Sequence, residues 1–362
     1  MTSGWDVLVV GGGIAGMGAA AALAEAGATV LLAERETTLT HHTTGRSAAL
    51  WIRDYGGAAI RDLAVASRAE LEPFLSPRAM LIVARHDQIA RLDHHHREAV
   101  AAGSPATRLT TAEAVELAPL LRPGVIAGAV QHHGAADIDV AALHEDLRRR
   151  ARRSGARIET AWPVLAAERS AGGRWQVRTA QLTIDAGVVL NAAGAWGDEV
   201  AASAGVATIG LQPLRRTIFT VAGAAHTEGS AQWPAVIDVD EQWYVKPEGE
   251  QFLCSPADET PSPPCDARPE ELDVALGIER VNRHTTLNVR AIRTSWAGLR
   301  TFSPDRNLII GPDPAHPGWH WLVGQGGYGI QTVPAAGRLA AALITGQTPP
   351  LDPTPYLPAR FR

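Results

Sequence analysis

Residues 5–16 read WDVLVVGGGIAG, a short run of β-branched and aliphatic residues that leads directly into a glycine-rich turn. The turn has the spacing Gly11-x-Gly13-x-x-Gly16, and the alanine-rich stretch that follows has strong helix propensity. A second apolar run then ends at Glu34. This order of strand, turn, helix and strand is typical of βαβ units in which glycines admit a pyrophosphate and an acidic residue meets the ribose. We therefore predict dinucleotide binding; the alternative is a tight turn in an α/β sheet that binds nothing.

The composition argues against several other classes of protein. The 362 residues carry a net charge of -5, with 33 basic and 38 acidic side chains mixed along the chain, so nucleic acid and anionic membranes are not expected partners. Cys254 and Cys265 are the only cysteines and lack CxxC spacing, which disfavours a disulfide framework or a zinc site. No secretion signal is evident, and no apolar run reaches the roughly 20 residues of a membrane span. We expect a cytoplasmic protein without an integral membrane segment that acts on a small molecule.

Two kinds of segment alternate along the rest of the chain. Residues 57–134 mix helical and strand patterns, 137–153 favour a basic-ended helix, and 174–194 predict a hairpin that leads into a buried strand. A hairpin-like return is expected over 285–300, and a last helix from about 329, where a glycine cluster ends. We predict an α/β fold in which a Rossmann-like nucleotide-binding domain (1–56, 135–212 and 290–362) is interleaved with an α+β mixed-sheet substrate domain (57–134 and 213–289).

Further motifs carry a resemblance to a known family. They are, in chain order, HTTGRSAA (42–49), NAAGAW (191–196), GLQPLRR (210–216), WYVKP (243–247), WAGLR (296–300) and QGGYGIQT (325–332). With the glycine turn, they resemble the D-amino-acid oxidase and glycine/sarcosine oxidase family of FAD flavoproteins, and within it most closely the D-arginine dehydrogenases. The resemblance implies an FAD domain of the glutathione-reductase type and hydride transfer from a substrate α-carbon to flavin N5. It also implies an amino acid or amine substrate and an electron acceptor, either oxygen or a quinone.

The same resemblance implies which residues hold FAD. Near the N-terminus they are Gly11, Gly13, Ile14, Ala15, Gly16, Glu34, Arg35, Thr43, Thr44, Arg46, Ser47, Ala48 and Ala49. Further along they are Val164, Ala193, Gly194, Trp196, Gly298, Arg300, Gly326, Gly327, Tyr328, Gly329, Ile330 and Gln331. Glu34 disfavours a 2′-phosphate on the nucleotide, although Arg35 leaves that question open. Since neither cysteine is near the last glycine cluster, we expect noncovalent FAD.

The histidines do not suggest a metal site. His41 and His42 are expected to be solvated loop residues, and adjacent histidines at 94–96 and 132–133 splay apart without a cysteine or acidic partner at ligand spacing. No metal is predicted.

Five residues are implied in substrate binding and catalysis by the family match. Arg300 would grip the substrate carboxylate with its planar guanidinium, and Arg216 would assist, unless it is a solvated or structural arginine. Tyr244 would hydrogen-bond the same carboxylate, or else be a core aromatic; Tyr55 matches an active-site tyrosine. The carbonyl of Gly327 would accept a hydrogen bond from the substrate amine. No separate catalytic base is evident, and none is needed if the amine is neutral before hydride transfer.

The sequence departs from the D-arginine-type pattern where a side chain of the substrate would lie. Leu50 replaces a histidine, and Met80 stands where that pattern has a carboxylate. A cationic substrate would then be buried without a partner, which is costly. We therefore expect a neutral, hydrophobic D-amino acid in a pocket formed by Leu50, Ile52, Met80 and Trp243 with Tyr55. Arg53 would instead favour an acidic side chain if it faced this pocket.

Two other functions remain open from the sequence. The first is oxidation of a secondary or N-alkyl amine such as sarcosine by the same flavin site. The second is a non-catalytic subunit that binds nucleotide only structurally within a hetero-oligomeric flavoprotein.

Overall fold

The computed structural model describes residues 4–222 and 229–361. Its strands are β1 (Trp5–Val10), β2 (Val30–Ala33), β3 (Leu50–Trp51), β4 (Leu75–Pro77), β5 (Met80–Arg85), β6 (Ala106–Leu109), β7 (Ile126–His132), β8 (Ala136–Ile138), β9 (Arg157–Glu159), β10 (Val164–Arg169), β11 (Trp175–Thr179), β12 (Thr183–Asn191), β13 (Gln212–Ala222), β14 (Ala235–Asp238), β15 (Tyr244–Glu248), β16 (Gln251–Ser255), β17 (Thr260–Pro261), β18 (Thr294–Phe302), β19 (Ile309–Pro312) and β20 (Trp319–Val323). Its α-helices are α1 (Ile14–Glu25), α2 (Ala58–Leu71), α3 (Ile89–Ala101), α4 (Thr111–Leu117), α5 (Val140–Arg153), α6 (Gly197–Ser203), α7 (Glu271–His284) and α8 (Gly329–Thr345).

The first sheet has eight strands and contains the glycine turn at its centre. Its main path is β10-β11-β12-β1-β2-β9, and β20 extends it beside β12 and carries β19. The strands β9, β2, β1, β12 and β20 run parallel, as βαβ connections require. Every residue of β2, and Val7 to Val10 of β1, is buried, which explains why these strands are continuous apolar runs without alternation.

Helices α1 and α8 pack closely because glycines lie at their contact. A Cβ atom added at Gly18 would come within 2.3 Å of Val333 Cγ2, and one at Gly337 within 2.8 Å of the Gly18 carbonyl oxygen. Larger side chains at these two positions would push the helices apart. The close contact brings the N-terminal ends of both helices to the same cleft beside the first sheet.

The second sheet has nine strands in the order β17-β13-β16-β15-β14-β5-β7-β6, with β18 also paired to β13. β18 pairs antiparallel with β13 along its whole length, from Thr220↔Thr294 to Gln212↔Phe302. The predicted domain boundaries assign residues 290–302 to the nucleotide-binding domain, whereas the hydrogen bonds of β18 lie in this second sheet. A third, small sheet is formed by β3, β8 and β4. The division into two domains stays a prediction.

The structure confirms the predicted α/β class, with a Rossmann-like sheet that has five parallel strands and with a separate mixed sheet. The last helix begins at Gly329, as predicted from the glycine cluster. The expected hairpin over 285–300 is wrong: residues 286–293 form no strand, and β18 pairs with the distant β13. Among the residues that the structure describes, no helix is both long and apolar enough to cross a bilayer.

Candidate active site

The glycine turn between β1 and α1 allows close contacts between backbone segments. Gly11 has φ 111°, and a Cβ atom at Gly16 would lie 1.9 Å from the Gly11 carbonyl oxygen. Gly13 caps α1 without any side-chain hydrogen bond, and the Ile14 N–H donates to Thr44 Oγ1 at 3.0 Å. Apart from this bond the start of α1 has no side-chain cap, and a helix N-terminus in a glycine turn is a site for a phosphate group.

Glu34 follows β2 and is buried beside this turn. Its Oε2 accepts a hydrogen bond from the Gly12 N–H at 2.6 Å, and its Oε1 accepts one from the Glu36 N–H at 2.8 Å. These two bonds fix the carboxylate at the wall of the cleft. Each oxygen keeps a further lone pair with which it can accept a hydrogen bond from a hydroxyl group.

A cavity of about 430 Å³ extends from the glycine turn to Arg300. Most of the residues predicted to hold the cofactor line it: Gly11, Gly13, Ile14, Ala15, Glu34, Arg35, Thr43, Thr44, Arg46, Ser47, Ala48, Val164, Ala193, Gly194, Trp196, Gly298, Arg300, Gly326, Gly327, Gly329 and Ile330. Four others do not line it: Gly16, Ala49, Tyr328 and Gln331. Gly16 lies beneath the turn, where its missing side chain allows α1 to start.

The cavity also has walls that the sequence motifs did not indicate. Trp162 and Pro163 lie between β9 and β10, Leu165 lies in β10, and Glu199, Val200 and Ser203 come from α6. No glycine pattern or charged motif marks these residues. Only the pairing of β9, β10 and β12 into one sheet places them together.

The segment 42–49 crosses one side of the cavity and is tied to β18. Thr43 Oγ1 donates to the Leu299 carbonyl at 2.8 Å. Arg46 Nη1 donates to the carbonyls of Ala267 and Ala297, and its Nη2 pairs with Asp266. Arg46 therefore supports the segment from behind in addition to lining the cavity.

His42 is not the solvated loop residue that was expected. Its Nε2 lies 3.0 Å from Glu36 Oε1, and its ring packs at 4.5 Å against the ring of Trp196. His41, His42 and Glu36 form a group of three side chains whose potential metal-ligand atoms lie within 4.8 Å of one another. The hydrogen bond between His42 Nε2 and Glu36 accounts for their proximity without a metal ion.

A second, smaller cavity of about 60 Å³ adjoins the first at Arg300. Arg300 Nη1 donates to Tyr55 Oη at 2.9 Å, and the Tyr55 ring meets that of Tyr328 edge-on at 5.0 Å. A Cβ atom at Gly327 would come within 3.1 Å of Arg300 Cζ, so glycine lets the backbone lie against the guanidinium without moving it. Burial lowers the pKa of Arg300, but nearby Tyr55, Tyr244 and Glu241 raise it more, and the group stays charged.

Arg216 and Tyr244 complete the polar side of this smaller cavity. Arg216 is buried, and its Nε donates to the Asp258 carbonyl at 2.7 Å while Nη2 lies 3.3 Å from Glu259 Oε1. Burial and the neighbouring Arg300 lower the pKa of Arg216. The Tyr244 hydroxyl is buried without a hydrogen-bond partner in the described residues. Arg300, Arg216 and the phenol of Tyr244 thus converge on one space. Arg216 already pairs with Glu259, whereas the Tyr244 hydroxyl has no partner in the described residues, so an anion there would accept from Tyr244 and meet the Arg300 guanidinium.

The apolar walls differ from the prediction at two positions. Leu50 and Ile52 line the smaller cavity, but Met80 and Trp243 do not. Trp243 is wholly buried in the core of the second sheet and stacks on His284, with ring centroids 4.9 Å apart. It precedes Tyr244 directly, and since adjacent residues of an extended chain face opposite ways, only one of them can face the cavity. Met80 is buried in a cluster behind Ile52.

Three residues of the smaller cavity were not predicted: Ile237, Glu241 and Ala257. Ile237 pairs with Tyr244 across β14 and β15, so a recognised hairpin at 235–248 would have indicated it. Glu241 lies in the exposed turn of that hairpin with φ 52°. Arg53, which would have favoured acidic substrates, lines neither cavity.

Comparison with known proteins identifies the group to which these motifs belong. The family model DAO, described as FAD dependent oxidoreductase, matches residues 6–343. The chain is 25% identical over 198 residues to the Bos taurus FAD-dependent oxidoreductase domain-containing protein 1, covering 49% of this chain but only 40% of that protein. It is 26% identical over 380 residues to the uncharacterized oxidoreductase YurR of Bacillus subtilis, covering 97% and 98% of the two chains.

Solved structures share the fold over nearly the whole chain. Glycine oxidase from Geobacillus kaustophilus has a TM-score of 0.85 with 22% identity and covers 98% of each chain. L-proline dehydrogenase from P.horikoshii has a TM-score of 0.87 with 22% identity and covers 100% of this chain and 98% of its own. At this identity, the likeness establishes the fold.

Proposed function

Because the chain belongs to the DAO family of FAD-dependent oxidoreductases, we propose that it oxidises the carbon–nitrogen bond of an amino acid whose carboxylate is held by Arg300. The observation that carries this proposal is the set of polar groups in the smaller cavity. Arg300, Arg216 and the unpartnered Tyr244 hydroxyl converge there. A carboxylate is the substrate group that can accept hydrogen bonds from a guanidinium group and a phenol together. A subunit that bound nucleotide only structurally would have no use for them.

FAD fits the larger cavity at both of its ends. The glycine turn and the start of α1 can bind the pyrophosphate, and Glu34 can accept hydrogen bonds from the ribose hydroxyls. The N-terminus of α8 also lacks a side-chain cap, so Gly327, Gly329 and Ile330 can direct N–H groups and the helix dipole at the ring. When bound, FAD supplies the acceptor for the two electrons of the substrate C–H bond. Neither Cys254 nor Cys265 lines the cavity, which supports noncovalent binding.

The chain's own residues orient a substrate that binds with its amine already deprotonated. The backbone of Gly327 lies against the Arg300 guanidinium, since a Cβ atom added there would be 3.1 Å from Arg300 Cζ. With the carboxylate on Arg300, we expect one short substrate to reach the Gly327 carbonyl as well. A carbonyl oxygen accepts a hydrogen bond from a neutral amine, which retains the lone pair that C–H cleavage needs. Among the residues that the structure describes, no imidazole lines the smaller cavity, and this mechanism requires none.

We further propose that the substrate is a neutral, hydrophobic D-amino acid. Leu50, Ile52, Ile237 and Ile330 give the smaller cavity apolar walls. A side chain that lies against them would gain burial without leaving a polar group unpaired. The D configuration rests only on the likeness of the motifs to the D-amino-acid enzymes, most of all D-arginine dehydrogenase.

A second candidate substrate is a small secondary amine such as sarcosine. The smaller cavity measures only about 60 Å³, which favours a short substrate. Glycine oxidase is among the proteins that share this fold. The products separate the two candidates, because a primary amino acid releases ammonia and sarcosine releases methylamine.

Anaerobic titration of the purified protein tests the proposed function. We expect D-leucine, D-methionine or D-phenylalanine to bleach the visible absorption of the flavin, and their L-enantiomers to bleach it at least about 100-fold more slowly. Sarcosine and glycine belong in the same panel. Bleaching by sarcosine alone would favour the second candidate, and no bleaching by any amine would refute the catalytic proposal.

Glu241 provides a sharper test of the side-chain preference. Its carboxylate is the one acidic group among the residues described around the smaller cavity, and it would be the only partner for a cationic side chain. We expect Glu241→Gln to lower kcat/KM for D-arginine about 10-fold or more, while kcat/KM for D-leucine changes less than about twofold. Glu250→Gln, an exposed glutamate beyond the same hairpin, is the control. If wild-type protein turns over D-arginine fastest, the neutral-substrate proposal is wrong.

A further inference from the structure

A buried polar network lies directly behind the tyrosine that touches Arg300. Asp54, one residue before Tyr55, has its Oδ2 hydrogen-bonded to the Ser104 hydroxyl and 3.5 Å from His132 Nδ1. The other ring nitrogen of His132 lies 2.8 Å from His95 Nε2. Asp54, His132 and Ser104 are almost fully shielded from solvent. None of these four residues lines either cavity, so substrate and cofactor do not account for the network.

Burial and hydrogen bonding set the charges of two groups in this network. His132 Nδ1 faces the Asp54 carboxylate, and its Nε2 shares one hydrogen bond with His95 Nε2. Burial lowers the pKa of His95 to about 4, so that ring is neutral near pH 7. Burial tends to raise the pKa of Asp54, but its bonds to His132 and Ser104 lower it overall, and the group remains a carboxylate. The carboxylate thus accepts a hydrogen bond from Ser104 and lies 3.5 Å from His132 Nδ1, two residues that belong to other parts of the chain.

The three residues around Asp54 are fixed by the second sheet or by the helix packed on it. His132 ends β7, where it pairs with Met80 of β5 and Ala106 of β6. Ser104 follows α3, and its N–H donates to the Ala99 carbonyl at 2.9 Å. His95 lies within α3. Through Asp54, this framework therefore holds the short segment that joins β3 to α2.

That segment places Tyr55 on the opposite side, toward the cavity. The Tyr55 N–H donates to the Ile52 carbonyl at 3.3 Å, and Gly56 turns the chain with φ 101°. Tyr55 Oη accepts from Arg300, while the neighbouring Asp54 side chain enters the network. The segment is also held at Ile52, whose N–H donates to Gln331 Oε1 at 2.9 Å. Asp54 is the anchor nearest to Tyr55.

We propose that Asp54 is a positioning residue that holds the Tyr55 hydroxyl on Arg300 and so completes the carboxylate site. Its own position is fixed by its contacts with Ser104 and His132. It touches neither substrate nor cofactor, and its effect passes through Tyr55. The proposal rests on the proposed function only in taking Arg300 as the carboxylate-binding group. The network would then tighten substrate binding without changing the step at the α-carbon.

The test is a double-mutant cycle on the FAD-loaded protein with Asp54→Ala and Tyr55→Phe, alone and together. The dissociation constant of benzoate, a carboxylate with no oxidisable C–N bond, is measured from the flavin difference spectrum. The apparent dissociation constant and limiting rate of flavin reduction are measured with the best amino acid of the panel. We expect each single variant to weaken benzoate binding about 10-fold, and the double variant to bind it no more than about twofold more weakly than Tyr55→Phe. The limiting rate should change less than about threefold in Asp54→Ala.

Two further variants keep the test decisive. Asp62→Ala removes an exposed aspartate from α2 and should leave benzoate binding unchanged. Asp54→Asn retains an acceptor oxygen for Ser104 and His132 and should recover much of the lost affinity, as a positioning role requires. If Asp54→Ala does not fold, Asp54→Asn takes its place in the double-mutant cycle.

The outcomes separate this proposal from the proposed function. Equal losses on Asp54→Ala in the wild-type and Tyr55→Phe backgrounds would overturn the positioning role, as would unchanged benzoate binding in Asp54→Ala. A wild-type protein that does not bind benzoate would count against the carboxylate site and hence against this role for Asp54. Benzoate binding with the expected coupling, but no bleaching by any amine, would support Asp54 as a positioning residue and refute the catalytic proposal alone.

Discussion

Replacing Arg300 by methionine is expected to lower kcat/KM for carboxylated amino acids by about three orders of magnitude, roughly 4 kcal/mol, because one partner of a desolvated charge pair is lost. Arg300 lies where the two cavities meet, with Gly327 packed against its guanidinium and Tyr55 accepting from Nη1. Methionine resembles the aliphatic part of the arginine side chain and carries no charge. FAD content should stay near one per chain, since the groups proposed for the pyrophosphate and ribose lie at the other end of the larger cavity.

The measurement is the rate of anaerobic flavin reduction at several substrate concentrations, with FAD content determined for each variant. Arg293→Met is the matched control, because Arg293 is an exposed arginine just before the same strand. Arg300→Lys should recover only a small part of the loss, since an ammonium group retains the charge but not the planar fork. An Arg300→Met protein that oxidises amino acids as fast as the parent would refute the carboxylate site.

The parts of the fold that the sequence predicted are those fixed by local chemistry. The first βαβ unit follows from the glycine spacing and from apolar runs that are buried on both faces. The start of α8 at Gly329 follows from the glycines before it. In contrast, β18 pairs with β13, far away along the chain, and no local pattern distinguishes that partner from the hairpin expected over 285–300. Strand pairing over such separations depends on the whole sheet.

The site shows the same division between local and distant determinants. Motifs indicated Arg300, Arg216, Tyr244 and Tyr55, all of which the structure brings to the smaller cavity. The pocket walls were predicted less well. The alternation of side chains along a strand tells which residues lie on the same face of the sheet, but not which face lines the cavity. Trp243 was therefore assigned to the pocket although it is core.

Some residues that bear on the site carry no sequence signal at all. Glu241 reaches the cavity from a hairpin turn, and its presence weakens the argument that a cationic substrate would be buried without a partner. Asp54 meets His132 and Ser104 only after the second sheet has formed. In the sequence these residues are separate polar side chains with no motif spacing. Their proximity is a property of the tertiary fold.

Gly16→Ala should give a protein without bound flavin. The new methyl group would lie 1.9 Å from the Gly11 carbonyl oxygen, and that oxygen belongs to the backbone of the turn. The turn or the start of α1 must shift, at a cost of about 3 kcal/mol or more, and the phosphate site is lost with it. Flavin absorbance per chain, measured after denaturation releases the noncovalent cofactor, checks this. Gly124→Ala is the control, because nothing lies within 4 Å of the added atom.

Gly13→Ala separates loss of the cofactor site from loss of the fold. Gly13 has φ -70°, which alanine adopts without strain, and the added atom would lie 3.2 Å from Thr44 Oγ1, a contact that a small shift relieves. The chain should therefore fold, but the methyl group would stand at the helix N-terminus where the pyrophosphate is expected. We expect FAD affinity to fall about 10-fold or more while the thermal unfolding temperature of the flavin-free protein stays near that of the parent. Wild-type FAD content in both glycine variants would contradict the placement of the cofactor at this turn.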